Sequence, residues 1–317
     1  MSRPLAPRAL HWAELDEFSF VAGMRLLFWL CRIAGRWPVR LILYPILLWY
    51  FFSRPAARLA SRDYLERVKS AGDGEKLGVL RHFAAFAESI LDKMLLWSGL
   101  FDIDSVEHQG QSLIAAEIAR KRGGLLICCH LGNLDLCRVL SRQLAGFKMT
   151  ALIHTKHAQR FNRLLAQLNA DSELNLMQVT DLTPATAVLL SEKVARGEFV
   201  AIAGDRIPVS INPRVASAQF FGAPAPFPVG PYILASLLQC PVYLIFTFRR
   251  GRASEIHFEL FRESVHLPRT ERERALATLA ADYAARLEHY CRQAPLQWFN
   301  FYQFWRLPTG DSSHASE

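Results

Sequence analysis

The 317-residue chain contains six cysteines, Cys31, Cys128, Cys129, Cys137, Cys240 and Cys291, but no C-x-x-C pair and no framework spacing. Neither a zinc ribbon nor a thioredoxin-type redox site is indicated, and a disulfide-stapled secreted fold is not expected. The chain also lacks the G-x-S-x-G turn on which serine hydrolases mount their nucleophile. The glycines of Ser70–Gly78, at 72, 74 and 78, fit neither phosphate-cradling pattern, and no H-E-x-x-H occurs, so no metal site is expected. No cleavable leader is read, because the first apolar stretch begins near Phe18, behind an acidic cluster and without a small-residue cleavage site. The expected compartment is the reducing cytoplasm or its membrane face. The apolar run Leu41–Phe52 is twelve residues long. As a helix it rises only about 18 Å, short of the roughly 30 Å of a hydrocarbon core.

Acidic residues are scarce at the start. Residues 1–62 hold nine arginines against Glu14, Asp16 and Glu17, so six of the net +8 charges sit in the first fifth of the chain. Arg36 and Arg40 precede Leu41–Phe52, and Arg54 and Arg58 follow it. Phe20, Val21, Met24, Leu27, Phe28 and Cys31 fall near helical spacing just before. Trp12, Trp29, Trp37, Tyr44, Trp49 and Tyr50 suit the headgroup level of a bilayer, where arginines pair with phosphates. The region therefore predicts a helical extension lying in an anionic membrane surface; the competing reading is a helical hairpin packed on the main domain. Nucleic acid is not the expected partner.

Beyond a helix near Arg81–Leu96 the pattern alternates. Apolar runs of strand length at Gly124–Cys129, Met149–Ile153, Leu176–Val179, Phe199–Ala203 and Pro241–Phe248 are separated by helix-like segments near 133–144, 158–169, 184–196 and 230–239. A strand near Glu255–Leu260 and a helix near Thr270–Arg292 follow. Such alternation predicts an α/β fold, a mixed, mainly parallel sheet flanked by helices. The expected division is a helical membrane-associating region over 1–70, one α/β domain over 79–308 and a disordered tail over 309–317.

The chemistry-bearing segments fall at strand ends. His130 follows the run Leu125–Cys129, and Asp135 lies five residues on. On one continuous helix the two would stand about 140° apart. They meet only if His130 ends a strand and Asp135 opens the next helix, with Gly132 at the bend and Asn133 as N-cap. The carboxylate then takes one imidazole N–H and leaves the other nitrogen as a base. The same residues also fit a strand-end histidine and a helix-start aspartate with no catalytic role. Cys128 shares a strand face with His130, but a cysteine within an apolar run is more often an inert core residue. Gly204-Asp205-Arg206 follows the run Phe199–Ala203 and aims an arginine at a phosphate or an oxyanion, or else makes an ordinary surface pair. The segment from Phe220, Phe221 and Gly222 to Pro231 reads as a stiff apolar loop, lining an acyl slot or packed as a rigid turn. Lys148, His154, Lys156, His157, Arg160 and Arg163 form either an anion site, for a phosphate or carrier, or a solvated helix face.

In this order the segments resemble the lysophospholipid acyltransferase superfamily, whose hallmark is H-x4-D, and within it the bacterial lipid A late acyltransferases. His130 and Asp135 match the catalytic pair, and Gly204-Asp205-Arg206 matches the later substrate-site block. Pro295-Leu296-Gln297-Trp298-Phe299-Asn300-Phe301-Tyr302 is similar to the C-terminal P-x-Q-W/Y aromatic block. His11-Trp12-Ala13-Glu14 and Phe20-Val21-Ala22-Gly23-Met24-Arg25 look like the acyltransferases of aryl polyene pigment pathways. The resemblance implies a glycerolipid acyltransferase-like fold and an O-acyltransferase. His130 would deprotonate a lipid or glycolipid hydroxyl, Asp135 would orient it, and the hydroxyl would attack the thioester of an acyl carrier protein or coenzyme A with no acyl-enzyme. Arg206, with Gly204, Asp205 and Asn133, would serve the oxyanion and substrate; Phe220, Phe221 and Gly222 the acyl chain; Lys156, Arg160 and Arg163 the carrier. No bound cofactor is implied, and the location is the cytoplasmic face of a bacterial inner membrane, peripheral or monotopic. A thioesterase using the same pair, and a catalytically inactive lipid-binding protein, are the alternatives. The Arg-rich block of lipid A enzymes is not evident around His154.

Overall fold

A computed structural model describes residues 28–72, 77–137, 140, 143–153, 174–178, 184–207, 213–251 and 253–306. The expected helix near 158–169, the segments 11–14 and 20–25, the tail 309–317, and His154, Lys156, His157, Arg160 and Arg163 lie outside the described residues.

After helical residues 28–34 come α1 (Arg36–Ser53), α2 (Pro55–Ser70) and α3 (Val79–Trp97). The α/β part follows as β1 (Val106–Gln109), α4 (Gln111–Ala119), β2 (Gly124–Cys128), β3 (Met149–Ile153), β4 (Leu174–Gln178), α5 (Pro184–Ala195) and β5 (Phe199–Ala203). It continues through β6 (Val215–Phe220), β7 (Ala223–Pro228), α6 (Gly230–Leu238), β8 (Val242–Arg250), β9 (Ala253–Arg262) and α7 (Arg272–Gln293). Seven strands form one sheet in the order β1-β9-β8-β2-β5-β3-β4. Every pairing is parallel except β8 with β9, which confirms a mixed, mainly parallel sheet.

The central strands are apolar throughout because both faces are covered. Leu125 and Ile127 of β2, Val200 and Ile202 of β5, and Leu244 and Phe246 of β8 enter one core with α2, α6 and α7. Leu126, Ala201, Tyr243 and Ile245, on the alternate positions, enter the other.

Two expectations are corrected. The stretch read as a stiff loop is a hairpin of β6 and β7, turned at Phe221 (φ 49°) and Gly222 (φ 73°). Positive φ at both turn positions is the geometry whose twist matches the flanking strands. Phe220 and Phe221 are buried among Phe227, Trp298, Phe304 and Tyr64, so they are core side chains of an aromatic cluster.

The second correction concerns the arginines beside the apolar run. Val39, Leu43 and Leu47 form the buried stripe of α1 against Leu91, Met94 and Leu95 of α3 and its neighbours Phe83 and Ala87. On the same side Arg40 grips Glu88 with Nε and Nη2 at 2.7 and 2.6 Å, and Arg36 pairs with Asp92. Arg58 donates to the carbonyls of Phe51 and Phe52. These three guanidiniums are engaged within the protein. The outer face keeps its apolar side chains in the open, with Trp37 and Leu41 each 72% exposed, Phe52 71% and Trp49 66%. Among the described residues no helix is long and apolar enough to cross a membrane.

Candidate active site

β2 and β5 are parallel neighbours in a register that pairs Cys128 with Ala203. His130 and Asp205 each lie two residues beyond, so both chains leave the sheet side by side at its carboxyl edge, where open α/β sheets place ligands. Gly204 makes this possible. Its N–H donates to the Cys128 carbonyl at 2.8 Å, and a Cβ there would stand 2.7 Å from Ile127 Cγ2 and from the Tyr283 ring. Gly204 is therefore a packing glycine under the site.

Asp205 has no exposed surface and meets His130 twice. Oδ1 accepts the Nδ1–H bond at 2.8 Å, and Oδ2 accepts the His130 backbone N–H at 2.7 Å. The Trp298 indole N–H reaches Oδ2 at 3.0 Å. Burial alone would raise this carboxyl group's pKa, but the charge and hydrogen bonds of His130, with the charge of Arg206, outweigh it and hold the group below its ordinary value. An ionised Asp205 fixes the proton on Nδ1 and leaves the Nε2 lone pair as the basic site, in a side chain still 29% exposed. The sequence reading gave that N–H to Asp135 and placed Asp205 beside the substrate; in the structure Asp205 is buried behind the imidazole and takes the bond.

Asp135 follows on a short 3-10 turn, Leu134–Leu136, capped by Asn133, whose Oδ1 accepts the Asp135 N–H at 3.1 Å. The cap is where the sequence put it. Asp135 Oδ2 lies 3.5 Å from Lys93 Nζ of α3. Gly132 supplies the bend with φ 63°, and a Cβ there would stand 2.2 Å from the Thr247 carbonyl oxygen.

The segment after α7 clasps both halves of the site. Trp298 bridges to Leu131 as an isolated antiparallel pair, Gly132 N–H donates to Gln297 O at 2.8 Å, and Phe299 N–H donates to His130 O at 2.9 Å. On the other side Arg206 Nη2 donates to Phe299 O at 3.1 Å and the Tyr302 hydroxyl donates to Asp205 O at 3.3 Å. Buried His82 of α3 donates from Nε2 to the Trp298 carbonyl at 3.0 Å and accepts from Ser61 at Nδ1, 2.8 Å away. The carbonyl can only accept, so Nε2 carries a proton, and burial lowers the ring's pKa to about 4, which keeps it neutral near pH 7 with Nδ1 free to accept.

Cys128 does not fit a nucleophile: burial pushes its thiol pKa far up, and Cys129 follows. Among the described residues no group of three His, Cys, Asp or Glu is placed to hold a metal ion. A cavity of about 260 Å³ opens beside the turn after His130, between α3 and the end of β8, walled by Ala85, Asp92, Leu136, Phe248, Arg249 and Leu296. Asn133 lines it, and its buried Nδ2 finds no acceptor among the described residues.

A buried carboxylate bonded to a partly exposed imidazole at a sheet's carboxyl edge is an arrangement that can do general acid–base chemistry on an α/β scaffold. The bacterial lipid A biosynthesis acyltransferase family matches residues 102–307, from just before β1 to just past the clasp, and the chain belongs to that family. It is an acyltransferase acting on lipid. No curated protein matches the chain.

Sequence reasoning missed two contributors. Asp205 was found as a residue but not as the partner of His130; the signal was its equal offset from the end of an adjacent strand. Trp298 lies in the C-terminal aromatic block, and nothing in a sequence says that its N–H is aimed at a carboxylate.

Proposed function

We propose that this enzyme moves an acyl chain from the thioester of an acyl carrier protein or coenzyme A to a hydroxyl of a membrane lipid or glycolipid, with His130 as general base. The observation that carries the reading is the bond of His130 Nδ1 to buried Asp205, which leaves Nε2 to receive a proton. As the acceptor oxygen bonds to the thioester carbonyl carbon, Nε2 takes its proton. The tetrahedral oxyanion then collapses, the C–S bond breaks, and the imidazolium returns the proton to the departing thiolate.

Asp205 orients the base and stabilises the imidazolium, while Asp135, on the turn after His130, pairs with Lys93. Arg206 is exposed beside Asp205 and is assigned to the oxyanion. The Asn133 amide offers the cavity a donor for a substrate oxygen. The open apolar face of α1 is assigned to an anionic inner-membrane surface on its cytoplasmic side, where the ring-bearing tryptophans enter the interface. The resemblance of the N-terminal segments makes an aryl polyene the acyl group of choice.

The test is thiol release from acyl carrier protein and acyl-CoA thioesters, with and without a hydroxyl lipid, joined to mass spectrometry of lipid extracts. Release that needs the acceptor, and an ester absent from cells carrying His130→Ala, are expected. Equal release without acceptor would make the enzyme a thioesterase, and liposome binding without thioester consumption a lipid-binding protein.

A further inference from the structure

We propose that Trp298 is a positioning residue of the reaction: its indole N–H pins the Asp205 carboxylate in the rotation that serves His130. The inference rests on His130 being the base. A carboxylate with no exposed surface is out of reach of bulk water, so its orientation is set by the donors around it. Among the described residues there are three: the His130 backbone N–H and the Trp298 indole N–H on Oδ2, and the imidazole N–H on Oδ1. Two donors on Oδ2 fix the plane of the group and leave Oδ1 facing the ring.

Trp298 is itself held on several sides. It is fully buried, in edge contact with Tyr64, Phe220 and Phe304; its backbone bridges Leu131 and its carbonyl accepts from His82. The indole thus carries the alignment of a distant segment into the dyad without touching substrate.

Other titratable groups facing Asp205 are Arg206 and Tyr302, Cys128 and Cys129 at the end of β2, and Tyr283 and Cys291 of α7. Burial raises the pKa of both tyrosines and all three thiols, so they stay neutral. Among the described residues His130 and Arg206 are the groups that bring charge, and loss of the indole donor changes what His130 feels.

The matched control is Trp305, whose N–H bonds to the Phe220 carbonyl at 3.1 Å in the same aromatic cluster and meets no carboxylate. Trp298→Phe is expected to lower kcat at least 30-fold with KM for the thioester within twofold. It should also move the acid limb of the kcat/KM profile to higher pH, because a carboxylate with one donor fewer holds an imidazolium more strongly. Trp305→Phe should keep kcat within twofold and leave the limb in place. Where Trp298→Phe does not fold, 3-benzothienylalanine at position 298 replaces the N–H with sulfur in the same bicyclic outline and must reproduce both effects. An unmoved acid limb with unchanged kcat in either 298 variant overturns the proposal, as does an equal effect from Trp305→Phe. Activity surviving in His130→Ala would instead overturn the reading on which it rests.

Discussion

The carboxyl edge of the sheet and the outer face of α1 depart from ordinary folding preferences in opposite directions. At the sheet edge a charged carboxylate is taken out of water and surrounded by donors. On α1, tryptophan, leucine and phenylalanine are left in water while the arginines of the same helix turn inward to Glu88 and Asp92. Each arrangement costs free energy in an isolated soluble protein. The difference separates two tasks: one region keeps its cost inside, as an oriented base, and the other offsets its cost only against an apolar medium.

The sharpest way to break the first region is Asp205→Asn. The amide cannot hold the imidazole in its working tautomer, and kcat is expected to fall roughly 10³–10⁴-fold with the fold retained. Rates near wild type would return the orienting role to Asp135.

A second effect reaches the same region through stability. The pKa of His82 is lowered to about 4, below its unfolded value of about 6.5, so between these values the unfolded chain binds a proton that the native chain refuses. Its contribution is constant above pH 6.5 and falls as pH drops from there to 4, by up to about 3 kcal/mol. Urea unfolding at stepped pH checks this; the slope over that window should flatten in His82→Gln.

The outer face is tested by the triple change Trp37→Ser, Trp49→Ser and Phe52→Ser. Binding to anionic phospholipid vesicles should weaken about 10–100-fold, with kcat toward a water-soluble thioester unchanged. Undiminished binding would place the membrane contact elsewhere. Smallest of all, Cys128→Ala should leave turnover within twofold, and an acylated cysteine seen by intact-mass measurement would overturn the direct-transfer mechanism.

What could be read in advance follows the range of the forces involved. β3 and β5 were legible to the residue, because a buried parallel strand is a continuous apolar run. The bend at Gly132 and the cap at Asn133 are local and were legible too. β1, with the sequence VEHQ, was not, since its place comes from pairing with β9 rather than from its own pattern. Nor was the proline-rich β7, which among the described residues pairs with β6 alone. The inward turn of Arg36 and Arg40 depended on acids some fifty residues away on α3. Likewise the H-x4-D spacing suggested a local partner for His130, while the sheet register supplied one 75 residues distant.

The clasp also bears on how the molecule acquires activity. Asp205 and Trp298 are 93 residues apart, and His82 and Trp298 are 216 apart. Contacts of such span close large loops and form late when a chain folds. During refolding, helical signal should therefore precede the return of catalysis, which waits for these long-range closures.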